Sequence, residues 1–320
     1  MASPRPATGL SRRAVLRSLG GLGAAAFVVA CGRNDVPGDP SEPATGAATG
    51  RPRASETGDV RLAILDQLEV RSPLDLSVIL PAGVFVTGRG RRIVFGLGRS
   101  PTDLVTDAEP RVWLVRDEGL EVVAGPDGAP YFSEGFGDNG VYVLETALEQ
   151  PGNHYLVADT GDHAAVGAIS IFTADQVGVP DVRQRLPAAP TPTTKRPLGL
   201  ERICTAEPPC SMHDVSLDTA LDAGRPVVLT VATPEFCQTV ICGPVVGVVD
   251  QLRTESRRDD IAWIHVEVYE DAGNTPVELM QTLSLPTEPW TFFVGANGKV
   301  VDRFEGPTPL ELLRGPLERI

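Results

Sequence analysis

Between residues 59 and 173 the chain is written in short β-type runs, each broken by Gly, Pro or Asp before it is long enough to make a helix. The runs lie at 76–80, 84–87, 92–97, 111–115, 140–144, 154–158 and 165–172. Val, Ile, Phe and Tyr dominate them, and such side chains suit a pleated, half-buried surface. Strands of this length cannot bury their apolar faces singly, so they must pack as sheets. Their number and spacing predict an antiparallel sandwich. The chain has 320 residues, enough for this domain and a second.

Region 59–174 is therefore expected to be an all-β, immunoglobulin-like sandwich. It contains no Cys, so the Cys–Trp–Cys hallmark of antibody domains is missing. It also shows no catalytic constellation. His154 and His163 stand apart and read as solvated surface histidines. His163 closes Asp159-Thr160-Gly161-Asp162-His163, which reads as a hairpin turn. The region suits a binding or spacing module. Residues 175–200 carry Pro180, Pro187, Pro190, Pro192 and Pro197 and read as a stiff, extended linker between domains.

Residues 1–30 have a basic start, an apolar stretch from Ala14 to Ala30 and a small-residue processing site, the three parts of a signal peptide. The stretch falls short of the ~20 apolar residues a spanning helix needs. Ser11-Arg12-Arg13-Ala14-Val15-Leu16-Arg17 resembles a twin-arginine export signal, which implies folding before export. Val28-Val29-Ala30-Cys31-Gly32 resembles a lipobox, with Val28 and Val29 departing from its usual form. That resemblance implies lipidation of Cys31 and a membrane-tethered protein on the extracytoplasmic face. Residues 31–58, rich in Gly, Pro, Ala, Ser and Thr, read as a disordered tether. The net charge of −14 argues against nucleic acid as a partner, because phosphate backbones repel a polyanion.

In the last 120 residues the periodicity changes. A helix is expected at 216–223, a buried strand at 226–233, a helix at 244–254, a strand at 261–269, a helix at 276–283, strands at 290–294 and 299–304, and a final helix at 309–319. Phe236-Cys237 follows the first strand and precedes a helix. Pro289-Trp290-Thr291-Phe292-Phe293-Val294-Gly295-Ala296-Asn297-Gly298 resembles the late hairpin of TlpA- and ResA-like extracytoplasmic thioredoxins. The resemblance implies an α/β thioredoxin-like domain over 201–320. It also implies a cis proline at Pro289 beside the active-site disulfide, with Pro286 a competing candidate. The family motif is C-x2-C, whereas this chain has C-x4-C in Cys237 and Cys242. Five residues of helix span at least ~7.5 Å, and a disulfide needs Cα atoms within ~6.8 Å. A bond between these two therefore requires a turn before the helix. Val231 stands where the family has a buried acid.

A Cys at a helix N-terminus gains thiolate character from the helix dipole and free N–H groups. Cys237 accordingly takes the nucleophile role and Cys242 the resolving role in a thiol–disulfide oxidoreductase, with no cofactor required. Its expected partners are exported protein thiols or disulfides, or a membrane redox partner. Two other readings stay open. In one, Cys237–Cys242 is a structural bond in a non-enzymatic envelope protein. In the other, Cys210, Met212 and His213 join Cys237 and Cys242 in handling Cu(I), since thioether and thiolate donors favour that ion, as in Sco-type copper chaperones. Their late His has no counterpart in 281–290. His265 reads as a packed strand residue. With Cys31 set aside, four cysteines permit three pairings. Local pairing is the simplest, with Cys204–Cys210 a structural disulfide.

Overall fold

The computed structural model describes residues 57–320 apart from 101, 138, 237–241 and 271–274. The signal, Cys31, nearly all of the tether and Cys237 therefore lie outside the described residues. Residues 52–320 form one compact unit. Among the described residues no helix is long and apolar enough to cross a membrane.

The chain enters through α1 (Thr57–Gln67), a helix the strand-like reading of this region did not anticipate. Ile64, Leu65 and Val70 from and just after α1 bury against Trp113, Val115 and Val157. The strands that follow are β1 (Leu74–Ile79), β2 (Phe85–Val86), β3 (Gly88–Ser100), β4 (Asp103–Val105), β5 (Arg111–Arg116), β6 (Val122–Gly128), β7 (Tyr131–Phe132), β8 (Val141–Leu148), β9 (Gly152–Asp159) and β10 (Ala164–Phe172). They make a single ten-stranded sheet whose main path runs β6-β5-β9-β10-β1-β3-β8-β7, with β2 on β10 and β4 on β3. The first half of β1 pairs parallel with β10 and its second half antiparallel with β3. That switch joins what two separate sheets would otherwise be. The joined sheet curls around one core, to which Leu76, Phe95, Leu114, Tyr142, Leu156 and Ile169 contribute from both halves.

After α2 (Ala174–Val177) and α3 (Leu217–Asp222) the chain forms a second sheet. Its strands are β11 (Val227–Val231), β12 (Ala262–Val266), β13 (Trp290–Val294) and β14 (Val300–Glu305), in the order β12-β11-β13-β14. Only β11 and β12 run parallel. Every residue of β11, β12 and β13 is buried, because α3 and α5 (Glu278–Thr282) cover one face while α4 (Cys242–Ser256) and α6 (Leu310–Glu318) cover the other.

The architecture expected from the sequence, an α/β thioredoxin-like domain joined to an all-β immunoglobulin-like sandwich, is corrected by this arrangement. The described chain is mostly β, dominated by a large curled mixed sheet, and its few helices are short. Strand runs are legible as period-two patterns, but the parallel pairs of β10 with β1 and β2 are long-range choices that no local pattern encodes. Segment 175–200, which begins within the last turn of a short helix at 174–177, is docked against the second sheet. Arg183 N–H donates to Val300 O at 2.8 Å and Leu186 N–H to Gly298 O at 3.0 Å. Val179, Leu186 and Ala189 are buried.

Polar contacts tie the two sheets directly. Arg92 pairs with Asp302 and lies 3.9 Å over the Phe304 ring. Arg314 meets Glu134 through two bonds of 2.6 Å. The Glu305 carboxylate accepts from the backbone N–H of Val84 at 2.8 Å. His154, expected at the surface, is buried and its Nδ1 lies 3.1 Å from Gly152 O. His163 does sit in the β9–β10 turn, where it pairs with Asp75.

Candidate functional site

Two groups of sulfur residues lie around the C-terminal end of β11. The first comprises Cys204, Cys210, His213 and His265. His265 is on β12, opposite Thr230 of β11, and is fully buried. Its backbone N–H donates to Met212 O at 2.9 Å, which draws segment 210–213 against the strand edge. Thr194 N–H donates to His213 O at 3.0 Å and pins that segment from its other side. Cys204 is placed by the neighbouring Thr205, whose N–H and hydroxyl both donate to the Glu267 carboxylate, at 2.6 and 3.0 Å. The loop closes with the Cys210 N–H donating to Cys204 Sγ at 3.4 Å.

The side chains converge. Cys204 Sγ and Cys210 Sγ are 3.7 Å apart. His265 Nδ1 is 3.3 Å from Cys210 Sγ and 3.8 Å from Cys204 Sγ. His213 Nε2 is 3.2 Å from Cys210 Sγ. The expected Cys204–Cys210 disulfide is corrected: the spacing brings the two together, but both are free thiols. The His265 Nε2–H donates to Ala232 O at 2.9 Å, so Nδ1 presents its lone pair to the sulfurs. The Cys204 thiol is held well below its ordinary pKa, first by its hydrogen bond with Cys210 and then by the two imidazoles, against the effect of burial. The same bond pushes Cys210 well up, with burial adding to it. Burial works against a proton on His265, but the Cys204 sulfur and the Glu267 carboxylate outweigh it and the net shift is upward.

The second group surrounds Cys242, the first residue of α4, which is fully buried and disulfide-bonded. Its partner lies outside the described residues. Its sulfur is 3.6 Å from Glu288 Oε2. Glu288 accepts from the Thr233 N–H at 2.9 Å, and burial pushes its carboxyl pKa up, with the Glu267 charge adding to that. The peptide between Glu288 and Pro289 is cis. One peptide unit joins the two groups: the Ala232 carbonyl accepts from His265 while the Thr233 N–H donates to Glu288.

Sequence reasoning found Cys204, Cys210, Cys242 and Pro289 but missed His265 as a partner of the first two and Glu288 as a neighbour of the third. His265 is 61 residues from Cys204, and its apolar strand context gives no sign of a polar role. Glu288 carried one usable signal, an acid directly before the singled-out proline.

No protein-family model and no curated protein matches the chain. Several solved structures resemble part of it. One is the sulfur carrier protein SoxY from Chlorobium limicola f thiosulfatophilum, at 13% identity and a TM-score of 0.20, covering 37% of this chain and 98% of that one. Another is an uncharacterized protein from Bacillus anthracis str. Ames, at 13% identity and a TM-score of 0.21, covering 35% of this chain and 91% of that one.

Proposed function

We propose that the protein carries out thiol–disulfide exchange at the Cys242 disulfide, acting on exported protein thiols or disulfides from a lipid anchor at Cys31 on the extracytoplasmic face. The observation that carries this reading is the Glu288 carboxylate 3.6 Å from Cys242 Sγ. Exchange with a dithiol substrate moves two electrons and two protons onto the enzyme pair and leaves the substrate oxidised. The departing thiolate at Cys242 needs a proton, and a carboxyl whose pKa burial has raised is suited to deliver it. A glutathione redox titration of the mature chain, read by mass spectrometry at Cys242, tests the reading. A reversible transition at about −120 to −270 mV is expected of an exchange catalyst.

A second reading, a structural bond in a non-enzymatic envelope protein, is favoured by the complete burial of Cys242 among Phe136, Val245 and Phe293. A pair that stays oxidised below about −300 mV establishes it and removes the first.

Glu288 also leaves a mark on stability. Its folded pKa is raised above the unfolded value, so its contribution is fully present below the unfolded pKa and is lost as pH rises through the folded one. Glu288→Gln keeps an acceptor for the Thr233 N–H and removes the charge. The variant is expected to melt at a higher temperature than the parent at pH 8 and at nearly the same temperature at pH 4. Equal shifts at the two pH values would exclude this account.

A further inference from the structure

We propose that Cys204, Cys210, His213 and His265 form a binding site for one tetrahedral divalent cation of the zinc type. The inference is independent of exchange at Cys242. All four donors are buried or half-buried, and their ligating atoms lie within 4.8 Å of one another. Zinc bound by thiolate at about 2.3 Å and imidazole at about 2.0–2.1 Å gives tetrahedral edges of about 3.8 Å between sulfurs and about 3.6 Å from sulfur to nitrogen. The sulfurs here are 3.7 Å apart, and three sulfur–nitrogen edges measure 3.2, 3.3 and 3.8 Å. The cluster is already the size of a coordination sphere.

The surroundings agree. A ligating His is held by a hydrogen bond from its other nitrogen, which fixes the tautomer. The Ala232 carbonyl does this for His265. Glu267, 4.0 Å from His265 Nε2, anchors the backbone next to Cys204 by accepting from the Thr205 N–H. A surface cleft lined by Ile203, Cys204, Ala206 and Pro208 opens at the Cys204 edge of the cluster. Thiol oxidation state points the same way. Cys242 is in a disulfide, while two thiols 3.7 Å apart nearby are not. A cation shared by both sulfurs keeps them from bonding to each other. Four protein ligands fill a tetrahedron and leave no open position, so the site binds and holds its ion rather than activating water.

The test uses the full chain with the Cys242 disulfide intact. Zinc(II) is added, excess is removed by dialysis, and the metal is counted. Cobalt(II) is bound in a parallel sample. One zinc per chain is expected, with the visible bands of tetrahedral cobalt and a thiolate charge-transfer band. Cys210→Ser and His265→Gln should each weaken zinc binding at least tenfold. Because these variants can misfold, the unmodified protein carries a second measurement, alkylation of its thiols followed by peptide mapping. Zinc should protect Cys204 and Cys210, and a chelator should expose them. Three results overturn the proposal: equal alkylation with and without zinc, recovery of a Cys204–Cys210 disulfide, or binding of Cu(I) at these residues with zinc and cobalt rejected.

Discussion

Asp181→Ala is expected to destabilise the protein by about 3–5 kcal/mol, the usual cost of removing one partner from a buried ion group. Asp181 is buried where the docked segment passes between the two sheets. It accepts from Arg91 of β3 at 2.8 and 2.6 Å, and Arg303 Nε of β14 is 3.3 Å from its Oδ1. Removing the carboxylate leaves two guanidiniums facing each other, and burial already pulls the Arg303 pKa down. Asp181→Asn should lose almost as much, since the shape survives and the charge does not. Urea unfolding at pH 7 with an unchanged m-value checks the size.

The pH dependence follows from the direction of the Asp181 shift. Burial alone would raise its pKa, but the Arg91 hydrogen bonds and the Arg303 charge outweigh burial and bring it down. Its contribution is therefore present above the unfolded carboxylate value of about 3.9 and is lost as pH falls through the lowered folded value. The gap between parent and Asp181→Ala should narrow in acid. A gap that is constant from pH 7 to pH 3 would show that packing, not charge, holds this junction.

The second large effect is expected at Trp290. It is fully buried in β13, between Val231 of β11 and Glu305 of β14. Its ring stacks on Phe292 at 5.8 Å, and its Nε1–H donates to Thr287 O at 3.1 Å. Trp290→Ala empties the largest side-chain volume of that core and should cost about 3–5 kcal/mol by denaturant unfolding. Trp290→Phe keeps an aromatic ring and gives up the hydrogen bond and part of the volume, so a smaller loss is expected. A loss from Trp290→Ala below about 1 kcal/mol would mean that the neighbouring side chains collapse into the space.

Much of the local structure was legible. The strand expected at 290–294 is present as β13, and Trp290 and Phe292 face one core while Phe293 faces the other. The 216–223 and 309–319 helices stand within two residues of the observed α3 and α6. What failed was assembly. The strand runs of 74–172 carry no mark of which partner each takes, so a single curled mixed sheet read as a two-sheet sandwich. α1 went unread because its apolar residues follow no helical stripe that stands out from the strands after it. For the site, the sequence showed Cys204 and Cys210 as a close pair and Cys210 with His213 as neighbouring donors, in two separate readings. Their joint meaning was not legible, because the fourth member comes from a different strand.

The sequence by itself determined most of the longer strands, the helices of the last 120 residues, the acidic charge and the placing of two thiols in one short loop. These depend on residue order and local periodicity. The tertiary structure alone decided that β12 would carry His265 to those thiols, that the thiols would remain unbonded, and that Glu288 would stand beside Cys242. The reason is physical. Hydrogen-bonded registry of β11 with β12 and with β13 fixes which side chains tens of residues apart stand beside one another, and registry is set by burial of the whole sheet rather than by any one segment.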